Sequence, residues 1–211
     1  MLFFCFFLHE KSMAQGATQY SNTFNHVLDS IDRLIGGRFP IAKHKLDTVL
    51  IDELVDYVSK ERTDIKAHFL LMMLCLDYPD RYQLLEDSIK CEVFCFSFSH
   101  MYSMDYWGSL AIEPNGRSKE GIAGIMLTRL GKQMVPCLYT SLRDTTLLQY
   151  GWSFETRALP KMYKWRRKDF AYRYAALILG EKPIFLKDPH DRDKVIEDFI
   201  EKYEKEMVKK K

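Results

Sequence analysis

Residues 130–144 read Leu-Gly-Lys-Gln-Met-Val-Pro-Cys-Leu-Tyr-Thr-Ser-Leu-Arg-Asp, and their reading decides the fold. Met134, Val135, Leu138 and Leu142 recur at three- and four-residue spacing, which is one face of an α-helix. Gly131 is suited to end a preceding helix, because glycine takes up positive φ without a steric cost. Pro136 falls in the first turn of the new helix, where its missing N–H sacrifices no internal hydrogen bond. Asp144-Thr145-Thr146 closes it. Upstream, Glu113-Pro114-Asn115-Gly116 is a turn signal at the end of an irregular stretch from Asp105. Ser118 is then the expected cap of a helix holding Ile122, Ile125, Met126 and Leu130. The spacing thus predicts a helical hairpin over residues 118–144.

The same period runs outward in both directions. Phe24, Val27, Leu28, Ile31, Leu34 and Ile35 form a stripe, with Ser21 or Asn22 to cap it and Gly36-Gly37 to end it. Asp47 to Arg62 repeats the pattern with Leu50, Leu54 and Val58. Asp64 caps a denser run of Ile65, Phe69, Leu70, Met73, Leu74 and Leu76, and Tyr78-Pro79 stops it. In residues 80–101 Tyr82, Leu85, Ile89 and Val93 suit a helix, while Phe94, Phe96 and Phe98 alternate like a strand. Helix is preferred, because no second strong strand lies nearby to pair. After Gly180 the chain is extended and proline-punctuated to Asp188. Pro189 and Asp191 open a last helix with Val195, Ile196, Phe199, Ile200, Tyr203 and Met207 on its apolar face.

The pattern L-G-x-x-x-V-P-x-L-x-x-x-L-x-D of residues 130–144 resembles the second helix of a HEAT-like repeat. Lys168 to Gly180, with an Arg and paired alanines before a Leu-Gly end, resembles the first helix of another. Residues 118–144 and 168–180 carry the resemblance. It implies an all-α fold of antiparallel helical hairpins in an irregular HEAT-like stack, with a surface suited to protein binding. The stack is irregular because residues 147–167 exceed a normal inter-repeat turn and no period of 30 to 47 residues runs through the first half.

The bulk numbers bound the rest. The 211 residues, 47% of them hydrophobic, are enough for a packed core. A net charge of +2 against 31 basic and 29 acidic side chains argues against a dedicated nucleic-acid binder. No apolar run reaches the roughly 18–20 residues of a transmembrane helix. Leu2 to Leu8 followed by Ser12-Met13-Ala14 resembles a secretory leader, although no cation precedes the run. Residues 1–14 are therefore expected to be a leader and 15–211 a single α-helical domain, with secreted or periplasmic and cytoplasmic locations both open. The five cysteines lack C-x-x-C spacing, so most are expected to be buried, unpaired thiols.

Two glycine-flanked aromatic segments and one basic cluster are the candidate surface. Trp107, Tyr150, Trp152, Phe154, Trp165, Arg166 and Arg167 are the expected partner-binding residues, because exposed aromatics and arginines dominate interface hot spots. The alternatives to exposure are that the tryptophans plug the helical layers and that the cations are a solvated lead-in to a helix. No catalytic residue, metal ligand or cofactor is assigned: G-x-S-x-G, H-E-x-x-H, P-loop and G-x-G-x-x-G patterns are all missing. Cys137 and His68 are expected in the core, and Asp105, Glu113 and Glu155 are the acidic loop residues a hydrolase would use. Three functions follow: a non-catalytic protein-binding module, a toxin-neutralising or secretion-associated protein using the same surface, and a hydrolase with a loop-borne acidic site.

Overall fold

In a computed structural model the described residues are 20–34, 46–100, 107–112, 118–149 and 162–209. Helix α1 (Asn22–Leu34) is capped by Ser21, whose Oγ accepts from the Phe24 N–H at 3.1 Å. The Glu53 carboxylate accepts from both the Ser21 N–H and Oγ–H at 2.7 Å, tying that cap to the next helix, α2 (Thr48–Lys60). Asp47 caps α2 through the Leu50 N–H at 2.9 Å. Asp64 caps α3 (Ile65–Asp77) through the Lys66 N–H at 2.8 Å. All three caps follow the side-chain oxygen rule that reads them from sequence.

Helix α3 buries Ala67, Phe69, Leu70, Leu71, Met72 and Leu74, which cover most of its circumference. A helix apolar all round belongs in the middle of a bundle. It touches α1, α2, α4 (Pro79–Leu84) and α5 (Asp87–His100). The helical reading of residues 80–101 therefore holds, broken at Leu85 and Glu86. One continuous apolar core runs from Phe24 on α1 to Ile200 near the far end of the chain.

Ser118 is not a helix cap. Residues Gly108–Ile112 (β1) and Ser118–Glu120 (β2) form a small antiparallel pair, with Ser118 opposite Ile112. The Ser118 backbone joins that ladder, and α6 (Ile122–Leu130) starts only after Gly121. The chain remains all-α in class, with this short hairpin as an insertion.

Gly131, at φ +67°, ends α6 and opens a 3-10 turn through Met134. Helix α7 (Val135–Ser141) follows with Pro136 in its first turn. Helix α8 (Arg167–Ile178) lies along α7 and also meets α6. It closes at Gly180, φ +78°, where the Glu181 N–H reaches the Ala176 carbonyl at 2.8 Å and the Gly180 N–H reaches Leu177 at 3.1 Å. This double bond is the Schellman ending that glycine permits. Helix α9 (Pro189–Lys209) packs on α8 through Ile196, Phe199 and Ile200.

The expectation of unpaired thiols is corrected for two residues. Cys95 on α5 and Cys137 on α7 form a disulfide, with Cα atoms 5.8 Å apart. The contact between α5 and α7 brings together positions 42 residues apart, which no local spacing could reveal. Cys75 and Cys91 are free and half-buried. Among the described residues, no helix is long and apolar enough to cross a membrane. The expected leader, residues 1–14, lies outside the described residues.

Candidate partner-binding surface

The described chain breaks between Gln149 and Met162, and the residues flanking the break are fixed by backbone hydrogen bonds. Leu147 bridges Arg166 in antiparallel fashion. The Leu148 N–H donates to the Trp165 carbonyl at 3.0 Å, and the N–H groups of Arg167 and Lys168 donate to Thr146 and Asp144 at 2.9 Å each. Asp144 also accepts from the Thr146 N–H at 2.8 Å and from the Arg167 guanidinium. Burial pushes the Asp144 carboxyl up, but the hydrogen bonds from Thr146 and Arg167 outweigh it and hold the group below its ordinary range.

Next to this bridge lies a buried charge cluster. Asp169, 1% exposed, accepts from the Arg166 N–H at 2.8 Å and from the Arg166 guanidinium at 2.9 and 3.3 Å. The Arg192 guanidinium approaches the same carboxylate at 3.1 Å. Asp193 takes a second nitrogen of Arg166 at 3.0 Å and the Lys168 ammonium at 2.7 Å. Arg192 spends its remaining N–H groups on four carbonyls: Leu186 at 2.9 Å, Lys187 at 2.8 Å, Tyr163 at 2.7 Å and Lys164 at 3.2 Å. One guanidinium thus clamps the chain on both sides of α8. Five donors in a rigid plane suit arginine, and not lysine, to that task.

These positions correct the expected interface. Trp165, Arg166 and Arg167 are buried, not exposed. Trp165 stacks on Tyr163 with centroids 5.2 Å apart and meets Phe170 edge-on. The arginines face acids that the fold brings in: Asp144, Asp169 and Asp193. Trp107 is also buried, at 0% exposure. It stacks on His68 at 5.3 Å and takes Phe94 and Phe98 edge-on. Its carbonyl accepts from the Tyr174 hydroxyl. Tyr150, Trp152 and Phe154 lie outside the described residues, as do Asp105, Glu113 and Glu155.

His68 is in the core as expected, bonded through Nδ1 to Ser97 Oγ at 2.9 Å. Its Nε2 finds no hydrogen-bond partner among the described residues. Burial pulls its pKa down from 6.5 to about 3, so the ring is neutral at physiological pH. Burial pushes the Cys75 and Cys91 thiols up, which keeps them protonated and weakly nucleophilic.

What stands open to solvent is apolar and lies beside the Arg192 clamp. Met162 and Ile184 are each more than half exposed, and Leu186 is exposed as well. Leu147, in the bridge to Arg166, is 59% exposed. Sequence reasoning missed all four, together with Arg192, Asp169 and Asp193. Ile184, Phe185 and Leu186 are consecutive apolar residues, so the sequence does not show that only Phe185 turns inward; the alternation appears in the exposure alone.

Two concavities hold carboxylates. One, of about 620 Å³, is lined by Glu61, Asp64, Phe96 and His100. The other, of about 500 Å³, lies between α7, α8 and α9 and is lined by Glu197, Glu201 and Glu204 over Ile196 and Ile200. Asp64 is engaged by Tyr57 and its own helix cap, and Glu204 by Tyr139 and Arg143. Among the described residues, no group of three or more His, Cys, Asp or Glu is arranged to hold a metal ion. Comparison with protein families, with curated proteins and with solved structures finds no match for the chain.

Proposed function

We propose that the chain is a non-catalytic protein-binding module. The observation that carries this reading is the set of exposed apolar side chains Leu147, Met162, Ile184 and Leu186, mounted on backbone that Arg192 and the 147–166 bridge hold in place. Apolar side chains on a preorganised scaffold lose little entropy on binding, which is what an interface needs. The contacts of α8 with both α6 and α7 also support a HEAT-like layer as the scaffold. Tyr150, Trp152 and Phe154 follow Gln149 in sequence and remain the aromatic candidates of the interface.

The test is affinity capture with the immobilised full chain, run beside a Leu147→Asp, Met162→Asp double variant. A protein retained by the parent and released at least about tenfold more readily by the variant supports the reading. A partner held equally by both, or no retained protein, counts against it. Thermal unfolding of the variant controls for the fold, because exposed substitutions shift stability by only about 0.5 kcal/mol.

A further inference from the structure

Resting on the binding-module reading, we propose that residues 182–187 are an open strand edge that takes up an acidic, aliphatic strand of a partner protein by backbone pairing. After the Gly180 ending of α8 the chain joins neither a helix nor a sheet until Pro189. Its side chains alternate. Lys182, Ile184 and Leu186 are exposed, whereas Pro183 and Phe185 are half-buried, with the Phe185 ring 5.8 Å from the Arg173 guanidinium.

The backbone polar groups alternate as well. The Ile184 N–H donates inward to the Tyr172 hydroxyl at 3.1 Å, and the Leu186 carbonyl accepts inward from Arg192. In an extended chain, alternate residues direct their N–H and C=O groups to the same edge. If 184 and 186 face the protein, then 183 and 185 face away, and the open edge ends where the Lys187 carbonyl turns back to Arg192. The Pro183 carbonyl, both polar groups of Phe185 and the Lys187 N–H have no hydrogen-bond partner among the described residues. Proline is tolerated here because it withholds only a donor at the end of the edge. An anchored inner edge and an open outer edge are what strand addition requires.

The charge around the edge selects the partner. Lys164, Lys182 and Lys187 are exposed and make no ion pair among the described residues. Glu181 pairs with Lys202 and Asp191 with Lys194, while Asp188 accepts from the His190 N–H and keeps its charge. Three lysines against that one carboxylate leave the edge with an excess of positive charge next to Met162, Ile184 and Leu186. A strand that alternates carboxylates with aliphatic side chains is complementary to both features. A second copy of this chain is not. Antiparallel self-pairing of 182–187 sets Lys182 opposite Lys187, and like charges directly opposite are destabilising.

The probe is a phage library of random ten-residue peptides selected on the immobilised full chain. The expected winners alternate Asp or Glu with Val, Ile or Leu. A winner resynthesised with a fluorophore should bind in an anisotropy titration. Lys182→Glu with Lys187→Glu should weaken it about tenfold or more, as for charged interface pairs. Methylating the peptide's backbone nitrogens on alternate residues should weaken it for one register and spare it for the other, which a purely charge-driven contact would not show. Basic or uncharged winners, an absence of winners, or indifference to methylation overturns the inference. So does concentration-dependent dimerisation that the same lysine substitutions enhance. A protein captured through Leu147 and Met162 that ignores both lysine substitutions overturns strand addition and leaves the binding-module reading standing.

Discussion

The rings around Trp107 and the guanidinium groups around Asp169 both bury polar atoms, by opposite chemistry. In the ring cluster a single imidazole, His68, lies among Phe69, Phe94 and Trp107 as a neutral group with one nitrogen unpaired among the described residues. In the charge cluster every ion faces an ion, and the spare donors of Arg192 go to carbonyls. The difference teaches where each half of the molecule is vulnerable. A ring cluster depends on shape and on staying uncharged. A charge cluster tolerates its environment but not the loss of one member, because the ions left behind are buried and uncompensated.

The largest expected effect comes from removing the shared acid. Asp169→Ala leaves Arg192 without its acid and Arg166 with Asp193 alone, and should cost about 3–5 kcal/mol in urea unfolding. A loss below about 1 kcal/mol would show that water reaches the cluster and that the contrast with the rings is overdrawn. The next effect tests the covalent link between the two regions. Cys95 stands on α5, which carries Phe94 and Phe98, and Cys137 stands on α7, which lies along α8. Reducing this bridge, with its separation of 42 residues, should lower stability by about 2–4 kcal/mol. An unchanged melting curve under dithiothreitol, with both thiols shown free by alkylation, would contradict it.

Shape in the ring cluster is tested at Gly124. A Cβ there would stand 2.8 Å from the Trp107 carbonyl and collide with the Tyr174 hydroxyl. Gly124→Ala should cost about 1–3 kcal/mol by overpacking, and Tyr174→Phe should recover part of it by removing the hydroxyl oxygen. If the double variant is no better than the single, the clash lies with the Trp107 carbonyl or the Tyr174 ring carbon and not with the hydroxyl.

The smallest effect separates the regions by pH. The folded pKa of His68 is lowered to about 3 from 6.5, so between those values the unfolded chain binds more protons than the folded one. Its contribution is complete above about pH 6.5 and falls by about 1.4 kcal/mol per unit as pH drops below that value. At pH 5.5 the loss should be about 1 kcal/mol, and His68→Leu should remove this slope. Asp193 of the charge cluster titrates later. Burial raises the Asp193 carboxyl, but hydrogen bonds from Arg166 and Lys168 outweigh it and hold it below 3.8, so its contribution disappears only as pH falls through that lower range. A parent and a His68→Leu variant with superimposable stability curves from pH 7 to 5 would refute the assignment.

Much of the fold was legible because its signals are local. Ser21, Asp47 and Asp64 cap helices through neighbours two or three residues on, and Gly131 and Gly180 take the positive φ that ends a helix. Ser118 misled because a serine before an apolar run has the same local appearance at a cap as in a strand that runs into a helix. The content of the candidate surface was not legible. A Lys-Trp-Arg-Arg run reads the same whether its cations meet water or acids. Asp169 lies three residues from Arg166, but Asp193 lies 27 away and Asp144 lies 23 from Arg167. Pairing over such distances decides burial, and single-sequence spacing does not encode it.

The bridge between Leu147 and Arg166 has a further consequence, for how the protein can diversify. The bridge is made by backbone groups alone, so it does not depend on which side chain stands at 147. Leu147 turns that side chain outward, 59% exposed, and exchanging it leaves the tie intact. A lineage can therefore rewrite what this position shows to a partner without renegotiating its architecture.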